Sequence, residues 1–280
     1  MKRVVRMSAL KVRELIPLID ELAPFELAES WDRCGLRLGR YDALVGGIAV
    51  ALDPSAEAVR QAARRGCGLL ITHHPPMFAP QEDMICDRCD PKIVEAAFKN
   101  DVCLVACHTN FDSARGGVNE KLAQLAGLRD ARPLEPPATE RGFGMGAVGT
   151  VRSASAEELA RDIARKWNLS GYRLYDGGST VDRVALCGGS GGDLWKKLER
   201  TGSGSVLYAT ADLRYHECLE AVDAGLSVML CDHGEMENLP LSYFSEALAQ
   251  KTGLPVHFLD LVASKRCRER WCDAERHVSD

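Results

Sequence analysis

Short apolar runs alternate with amphipathic stretches along most of this chain. Leu15, Ile16, Ile19 and Leu22 recur at helical spacing and predict a first helix that stops before Pro24. Gly46 to Leu52 (GGIAVAL) reads as a buried strand. Asp53-Pro54-Ser55 breaks it and caps a helix reaching about Arg65. Cys67 to Thr72 predicts the next strand, Pro91 to Lys99 a helix, Val102 to Cys107 another strand, and Gly117 to Leu125 a helix ended near Gly127. The second half repeats the habit. Ser155-Ala-Glu-Glu158 has the form of a capping box opening a helix through Trp167. Val184 to Cys187, Val206 to Ala209 and Val228 to Cys231 read as strands separated by helices. A last helix is predicted over roughly Leu241 to Lys251 and a closing strand over Val256 to Leu261.

Strand–helix alternation of this kind predicts an α/β fold: two α/β units with largely parallel or mixed sheets flanked by helices. Pro133, Pro136 and Pro137 mark residues 130–142 as the boundary, giving an N-terminal unit over 1–130 and a C-terminal unit over 131–263. Residues 264–280 form a charged, aperiodic tail.

Charge narrows the functional classes. With 35 Lys+Arg against 40 Asp+Glu, the 280-residue chain carries a net charge of −5, so it lacks the positive field that nucleic acids or anionic membrane surfaces require. No uncharged apolar run approaches the ~20 residues of a membrane-spanning helix. The start, Met1-Lys2-Arg3-Val4-Val5-Arg6, resembles a signal peptide, but Lys11, Arg13 and Glu14 interrupt the apolar stretch one would need. Eleven scattered cysteines, an odd number, suit reduced thiols in a cytoplasmic protein better than a disulfide framework.

Candidate chemistry gathers where strands end. His73-His74 follows GLLIT and precedes Pro75-Pro76, at the carboxyl end of a strand, where α/β sheets collect functional groups. Neighbouring side chains in extended backbone point opposite ways, so two adjacent imidazoles suit two metal ions better than one. The next strand ends in His108-Thr109-Asn110-Phe111-Asp112. A third, SVMLC, runs into Asp232-His233-Gly234-Glu235-Met236-Glu237, where His233 and Glu237 are spaced to share one face of a helical turn. Each cluster has a plainer reading as polar loop, turn cap or solvated acidic turn. Together they supply nitrogen and carboxylate donors for two divalent ions, with zinc, iron, manganese and cobalt all compatible. Gly188-Gly189-Ser190-Gly191-Gly192 could cradle a phosphate with its amides, or be a tight turn. Cys86-Asp-Arg-Cys89 has metal or redox spacing, and Cys267 and Cys272 could complete a zinc site. His216 lies near a helix start, either lining the site or on the surface.

These motifs resemble the toroidal, dinuclear-metal-centre proteins related to the yeast Ngg-one-interacting factor three, often called GTP cyclohydrolase I type 2. The resemblance rests on ELAPFELAESWDRCGLRLG (21–39), LLITHHPPMF (69–78), CHTNFDSARGGVNEKLAQLAGL (107–128), VALCGGSGGDL (184–194), ATADLRYHECLEA (209–221) and His233-x-x-x-Glu237. It implies His73, His74, Asp112, His233 and Glu237 as ligands to two metal ions in a cleft between the units, with Glu237 bridging and His108 and His216 lining the cleft. It also implies a homohexameric ring. Three departures bear on the pocket: Arg33-Cys34 within Trp31-Asp32-Arg33-Cys34-Gly35-Leu36, Ala211 in Thr210-Ala211-Asp212, and Asp232 before the last histidine.

The function expected is a metal-dependent hydrolase of a small molecule, most specifically one opening the guanine imidazole ring of GTP with release of formate. His108 is expected to carry protons. A ring-shaped metal-binding or interaction protein without turnover is the alternative from another class, and a metal-dependent phosphoesterase the alternative chemistry. A nucleotide-dependent oxidoreductase is disfavoured, because no strand is followed by the glycine fingerprint it needs.

Overall fold

The structure is a computed structural model and describes residues 9–77, 83–198 and 205–262. Its first half runs β1 (Leu10–Lys11), α1 (Val12–Leu22), β2 (Gly35–Leu38), β3 (Leu44–Val45), β4 (Ile48–Ala51), α2 (Ala56–Arg64), β5 (Leu69–Thr72), α3 (Cys89–Lys99), β6 (Cys103–Ala106), α4 (Thr109–Asp112) and α5 (Val118–Ala126). The second runs β7 (Arg129–Arg132), β8 (Ala147–Ala154), α6 (Ala156–Lys166), β9 (Tyr172–Tyr175), β10 (Val181–Ser190), β11 (Ser205–Ala211), α7 (Tyr215–Asp223), β12 (Ser227–Cys231), α8 (His233–Thr252) and β13 (Val256–Phe258).

Local chemistry explains the helix starts. Ser55 Oγ accepts from the Ala58 amide at 3.0 Å and caps α2. At α6, Ser155 and Glu158 exchange both bonds of a capping box, each at 3.2 Å. Asp232 Oδ1 accepts from Glu235 N at 2.8 Å and opens α8 eight residues before the start predicted from periodicity. Pro240 sits inside α8 without ending it.

Two mixed sheets form the frame. One has the order β13-β4-β5-β6-β2, parallel except for β2; the other has the order β7-β8-β10-β11-β12-β9, with parallel β10, β11 and β12 between antiparallel edges. Alternation along each strand selects a face. Ile48, Val50, Leu69 and Ile71 join a core with α1, α5 and α8, whereas Ala49, Ala51 and Leu70 pack on α2 and α3. Val184, Leu186 and Leu207 reach the same inner core, while Ala185, Cys187 and Tyr208 pack on α7. Helix α8 therefore lies between the sheets, packed on β4 and β13 of one and β10 of the other, with α1 and α5 against it.

The sheets do not divide the chain at residue 130. Strand β7 (Arg129–Arg132) belongs with the second sheet, and β13 returns to pair with β4 of the first. The proline-rich segment folds back on the first half, where Ser113 O accepts from Phe143 N at 2.8 Å and from Gly144 N at 3.0 Å. Strands β1, β2, β3, β7, β8 and β9 were not foreseen; β1 and β3 are two residues long, β7 is exposed along its length, and β2 and β9 lack a fully buried residue, so the apolar signal of these five is weak.

Candidate metal centre

The carboxyl ends of the parallel strands in both sheets converge. Strand β4 delivers Asp53, β5 delivers His73 and His74, β6 leads through His108 into α4 with Asp112, β11 delivers Asp212, and β12 leads into α8 with His233 and Glu237. Three trios have donor atoms within 4.8 Å of one another: His73–Asp112–Glu237, His74–His233–Glu237 and His73–His74–His108. The five candidate ligands and His108 thus lie together, with Glu237 shared by two trios.

Hydrogen bonds fix which ring nitrogen faces the cluster. His73 Nδ1–H donates to Cys107 O at 2.9 Å, leaving Nε2 toward Asp112 Oδ1 at 3.5 Å and Glu237 Oε1 at 3.6 Å. His74 Nδ1 meets Asp53 Oδ1 at 2.7 Å and its Nε2 meets Glu237 Oε2 at 3.0 Å. His233 is held alike, by Asp212 Oδ2 at 2.6 Å and Glu237 Oε2 at 2.9 Å. Outer carboxylates on Nδ1 are the usual orienting partners of metal-binding histidines. Asp212 does this from a left-handed backbone, φ +57°, which costs a non-glycine residue about 1–2 kcal/mol.

The electrostatics match a cluster in which protons stand where cations would sit. Burial alone would lower the imidazole pKa values. Carboxylate contacts on both nitrogens outweigh it, lifting His74 to about 10 and His233 to about 9. Burial lifts the Asp112 carboxyl to about 7, with the Glu237 charge adding to it. Burial opposes ionisation of Glu237 as well, yet the surrounding histidines hold its pKa well below the usual range. His73 Nε2 and Asp112 Oδ1 are buried without a hydrogen-bond partner. Two orphaned donor atoms pointing at each other inside a protein are costly, and a cation between them would satisfy both. The donor set, imidazole and carboxylate, fits divalent transition metals.

Beside this cluster stands His108. Its Nδ1–H donates to Asp32 Oδ1 at 3.0 Å, while Asp32 Oδ2 accepts from Thr109 N at 3.0 Å and Thr109 Oγ1 at 2.5 Å. These bonds overcome the cost of burial and hold the Asp32 carboxyl far below its ordinary pKa. Burial pushes the neighbouring Cys34 thiol up to about 12, so it stays protonated.

Other sequence candidates fare differently. In the glycine loop, Gly188 N donates to Asn119 Oδ1 and Gly191 N to Thr210 Oγ1, so two of the five amides that could cradle a phosphate are spent inside the fold. Its role is close approach. Gly189 has φ +63°, and a Cβ there would collide with Glu237 Oε1 and come to 3.1 Å from His233 Nε2. His216 is exposed on α7, its ring against Tyr215, outside the three trios. Cys86 and Cys89 are exposed and free and join none of the metal-competent groups among the described residues. Cys267 and Cys272 lie outside the described residues. The sequence reading passed over Asp53 and Asp212 as partners of His74 and His233. Each follows the end of an apolar strand closely, the same signal that picked out the histidines.

Comparison with known proteins identifies a family and a shared fold. The sequence model of the family Duf34/NIF3 (NGG1p interacting factor 3) matches residues 10–265. A Streptomyces coelicolor protein named GTP cyclohydrolase 1 type 2 homolog is 36% identical over 218 residues, 75% of each chain. A Streptococcus pneumoniae protein of the same name is 30% identical over 76% of this chain and 81% of its own. The solved structure of a Bacillus cereus protein related to NIF3 superposes with a TM-score of 0.82 at 22% identity, covering 90% of this chain and 97% of that one, a likeness of fold.

Proposed function

The chain belongs to the Duf34/NIF3 family, and we propose that it is a dinuclear-metal-dependent hydrolase acting on a small molecule, with GTP ring opening as the specific activity. The observation that carries this reading is the pair of trios sharing Glu237, one closed and one open: His73, Asp112 and Glu237 are buried, whereas His74 and His233 are partly exposed. His73, Asp112 and Glu237 would hold one ion and His74, His233 and Glu237 the other, leaving the second reachable from solvent. Two divalent cations bound there supply Lewis acidity and a water whose pKa falls toward ~7.

The chain's own groups do the remaining work. His108 presents Nε2 to the cluster because Asp32 occupies Nδ1, which suits it to take a proton from an incoming water and return it to a leaving nitrogen. Asp53 and Asp212 keep the Nε2 lone pairs of His74 and His233 directed inward. In the GTP reading, one water adds at guanine C8 and the C8–N9 bond breaks, leaving a formamide on N7; a second water then breaks the C8–N7 bond, so that both nitrogens leave as amines and C8 leaves as formate. The names of the Streptomyces and Streptococcus relatives support that substrate. A phosphoesterase uses the same donor set, and with the Gly188 and Gly191 amides bonded within the fold the glycine loop has fewer donors for a triphosphate than the sequence suggested.

A homohexameric assembly and a cytoplasmic location complete the proposal. Among the described residues no helix is long and apolar enough to cross a membrane. The experiment is incubation of metal-loaded protein with GTP and a panel of phosphoesters, following formate and phosphate. Turnover lost in Asp112→Ala with the assembly intact supports the enzyme. Stoichiometric metal with no turnover on any substrate favours the non-catalytic metal-binding alternative.

A further inference from the structure

One side of the cluster is closed and the other open, and the open side carries an unusual neighbour. The partly exposed rings of His74 and His233 lie 5.4 Å apart between centroids, and His108 lies 5.6 Å from His74 and 5.2 Å from the buried His73. Trp31 stands edge-on to His108, with centroids 6.2 Å apart and planes at 77°. Trp31 is itself 60% exposed. Other exposed large apolar side chains, among them Tyr41, Leu44, Phe98 and Tyr215, have no ring contact with a cluster histidine among the described residues.

Exposure of a tryptophan on a loose loop would mean little. This loop is pinned on both sides of the indole. Glu29 N donates to Thr109 Oγ1 at 2.9 Å, Asp32 N closes a turn onto Glu29 O at 2.9 Å, and the buried Asp32 carboxylate takes three bonds from His108 and Thr109. The backbone that carries Trp31 is therefore tied to the segment that carries His108 and Asp112. A large, flat side chain carried on tied backbone beside a polar site and largely exposed is the arrangement that receives another flat ring.

We infer that Trp31 is a specificity residue that stacks on a planar heteroaromatic ring of the substrate, holding it over the open side of the cluster beside His108. The inference rests on the hydrolase reading for the location of the site, and goes beyond it by naming the side chain that selects a flat ring, whichever heteroaromatic the substrate carries. Stacking is indifferent to the ring's hydrogen-bonding pattern, so Trp31 selects flat rings as a class and leaves discrimination among them to polar contacts.

The test uses the full-length, metal-loaded protein as wild type, Trp31→Ala and Trp31→Phe. Affinities for GTP, CTP, a pterin and inorganic tripolyphosphate are measured by titration calorimetry, with metal content and molar mass recorded in parallel. The inference requires Trp31→Ala to bind the heteroaromatic probes about 5- to 150-fold more weakly. Trp31→Phe should recover most of the loss, and tripolyphosphate affinity, metal content and mass should not change. It is overturned if Trp31→Ala binds every ring-bearing probe like wild type, if no ring-bearing probe binds wild type, or if tripolyphosphate affinity falls equally. A change of molar mass with unchanged affinity also overturns it and makes Trp31 a subunit contact. Failure of the hydrolase reading looks different: ring binding that depends on Trp31 without turnover sinks the enzyme and keeps the stacking. Phosphoester hydrolysis without ring binding does the reverse.

Discussion

Gly189→Ala probes how the cluster is built from both halves of the chain. Gly189 holds φ +63°, which costs alanine about 1–2 kcal/mol before any collision. The added Cβ would strike Glu237 Oε1 and lie 3.0 Å from Glu237 Cδ. Because that obstacle is the tip of a side chain, the fold can yield by turning the carboxylate aside. Turning it breaks the bonds to His74 Nε2 at 3.0 Å and His233 Nε2 at 2.9 Å, and charged bonds of this kind contribute roughly 1.5–3 kcal/mol each. Part of that returns through new partners, so the expected destabilisation of metal-free protein is roughly 2–5 kcal/mol. The larger consequence is loss of the shared ligand, and with it both ions. Gly192→Ala is the matched control: φ is +44° and nothing lies within 4 Å of its Cβ, so only the backbone cost of about 1 kcal/mol applies. Denaturant unfolding and elemental analysis of the three proteins decide the matter. Retention of two ions by Gly189→Ala, with a stability loss no greater than that of Gly192→Ala, would refute the reasoning.

Glu237→Gln keeps the shape and removes the shared charge; elemental analysis should find both sites depleted, and one ion kept at full occupancy would argue against sharing. Metal binding at pH 7 should release about two protons per chain, from His74 and His233, with a further fraction from Asp112, since all three bind protons more tightly in the fold than free. Calorimetry in buffers of different ionisation enthalpy reads this directly, and zero release contradicts it. The same shifts set the pH dependence of the metal-free protein. The histidine contribution is complete below about 6.5 and disappears as pH rises through about 9–10, and the raised Asp112 removes stability as pH climbs from about 4 to 7. Metal-free protein should therefore melt at progressively lower temperature from pH 4 to 10, other groups held equal, and the metal-loaded form should show less of this decline. Asp32→Asn should leave metal content near wild type but lower turnover roughly 10–100-fold by freeing the His108 tautomer; unchanged turnover would remove His108 from proton transfer.

Much of this site is legible in the chain because strand ends are. Apolar runs such as LLIT and SVMLC report burial directly, and the first histidines past them fall at the sheet's functional edge whatever the rest of the fold does. The i, i+4 spacing of His233 and Glu237 needed only one helical turn, which α8 provides. Edge strands were harder. Arg129–Arg132 carries four exposed residues, and its place in the second sheet depends on backbone pairing with β8 that no side-chain pattern announces.

What the residues alone determined, then, is the succession of the buried parallel strands, the helices between them and which side chains stand at those strand ends, because periodicity and capping act over a few residues. Tertiary structure decided the rest. His74 and Glu237 meet across 163 residues, and β13 leaves the half of the chain it follows to complete the other sheet. Gly189 is needed not for its own turn but for the carboxylate that packs against it. Which carboxylate fixes which imidazole, and which atoms are left buried without a partner, follows from how two sheets close on shared helices, and packing over such distances leaves no local trace in sequence.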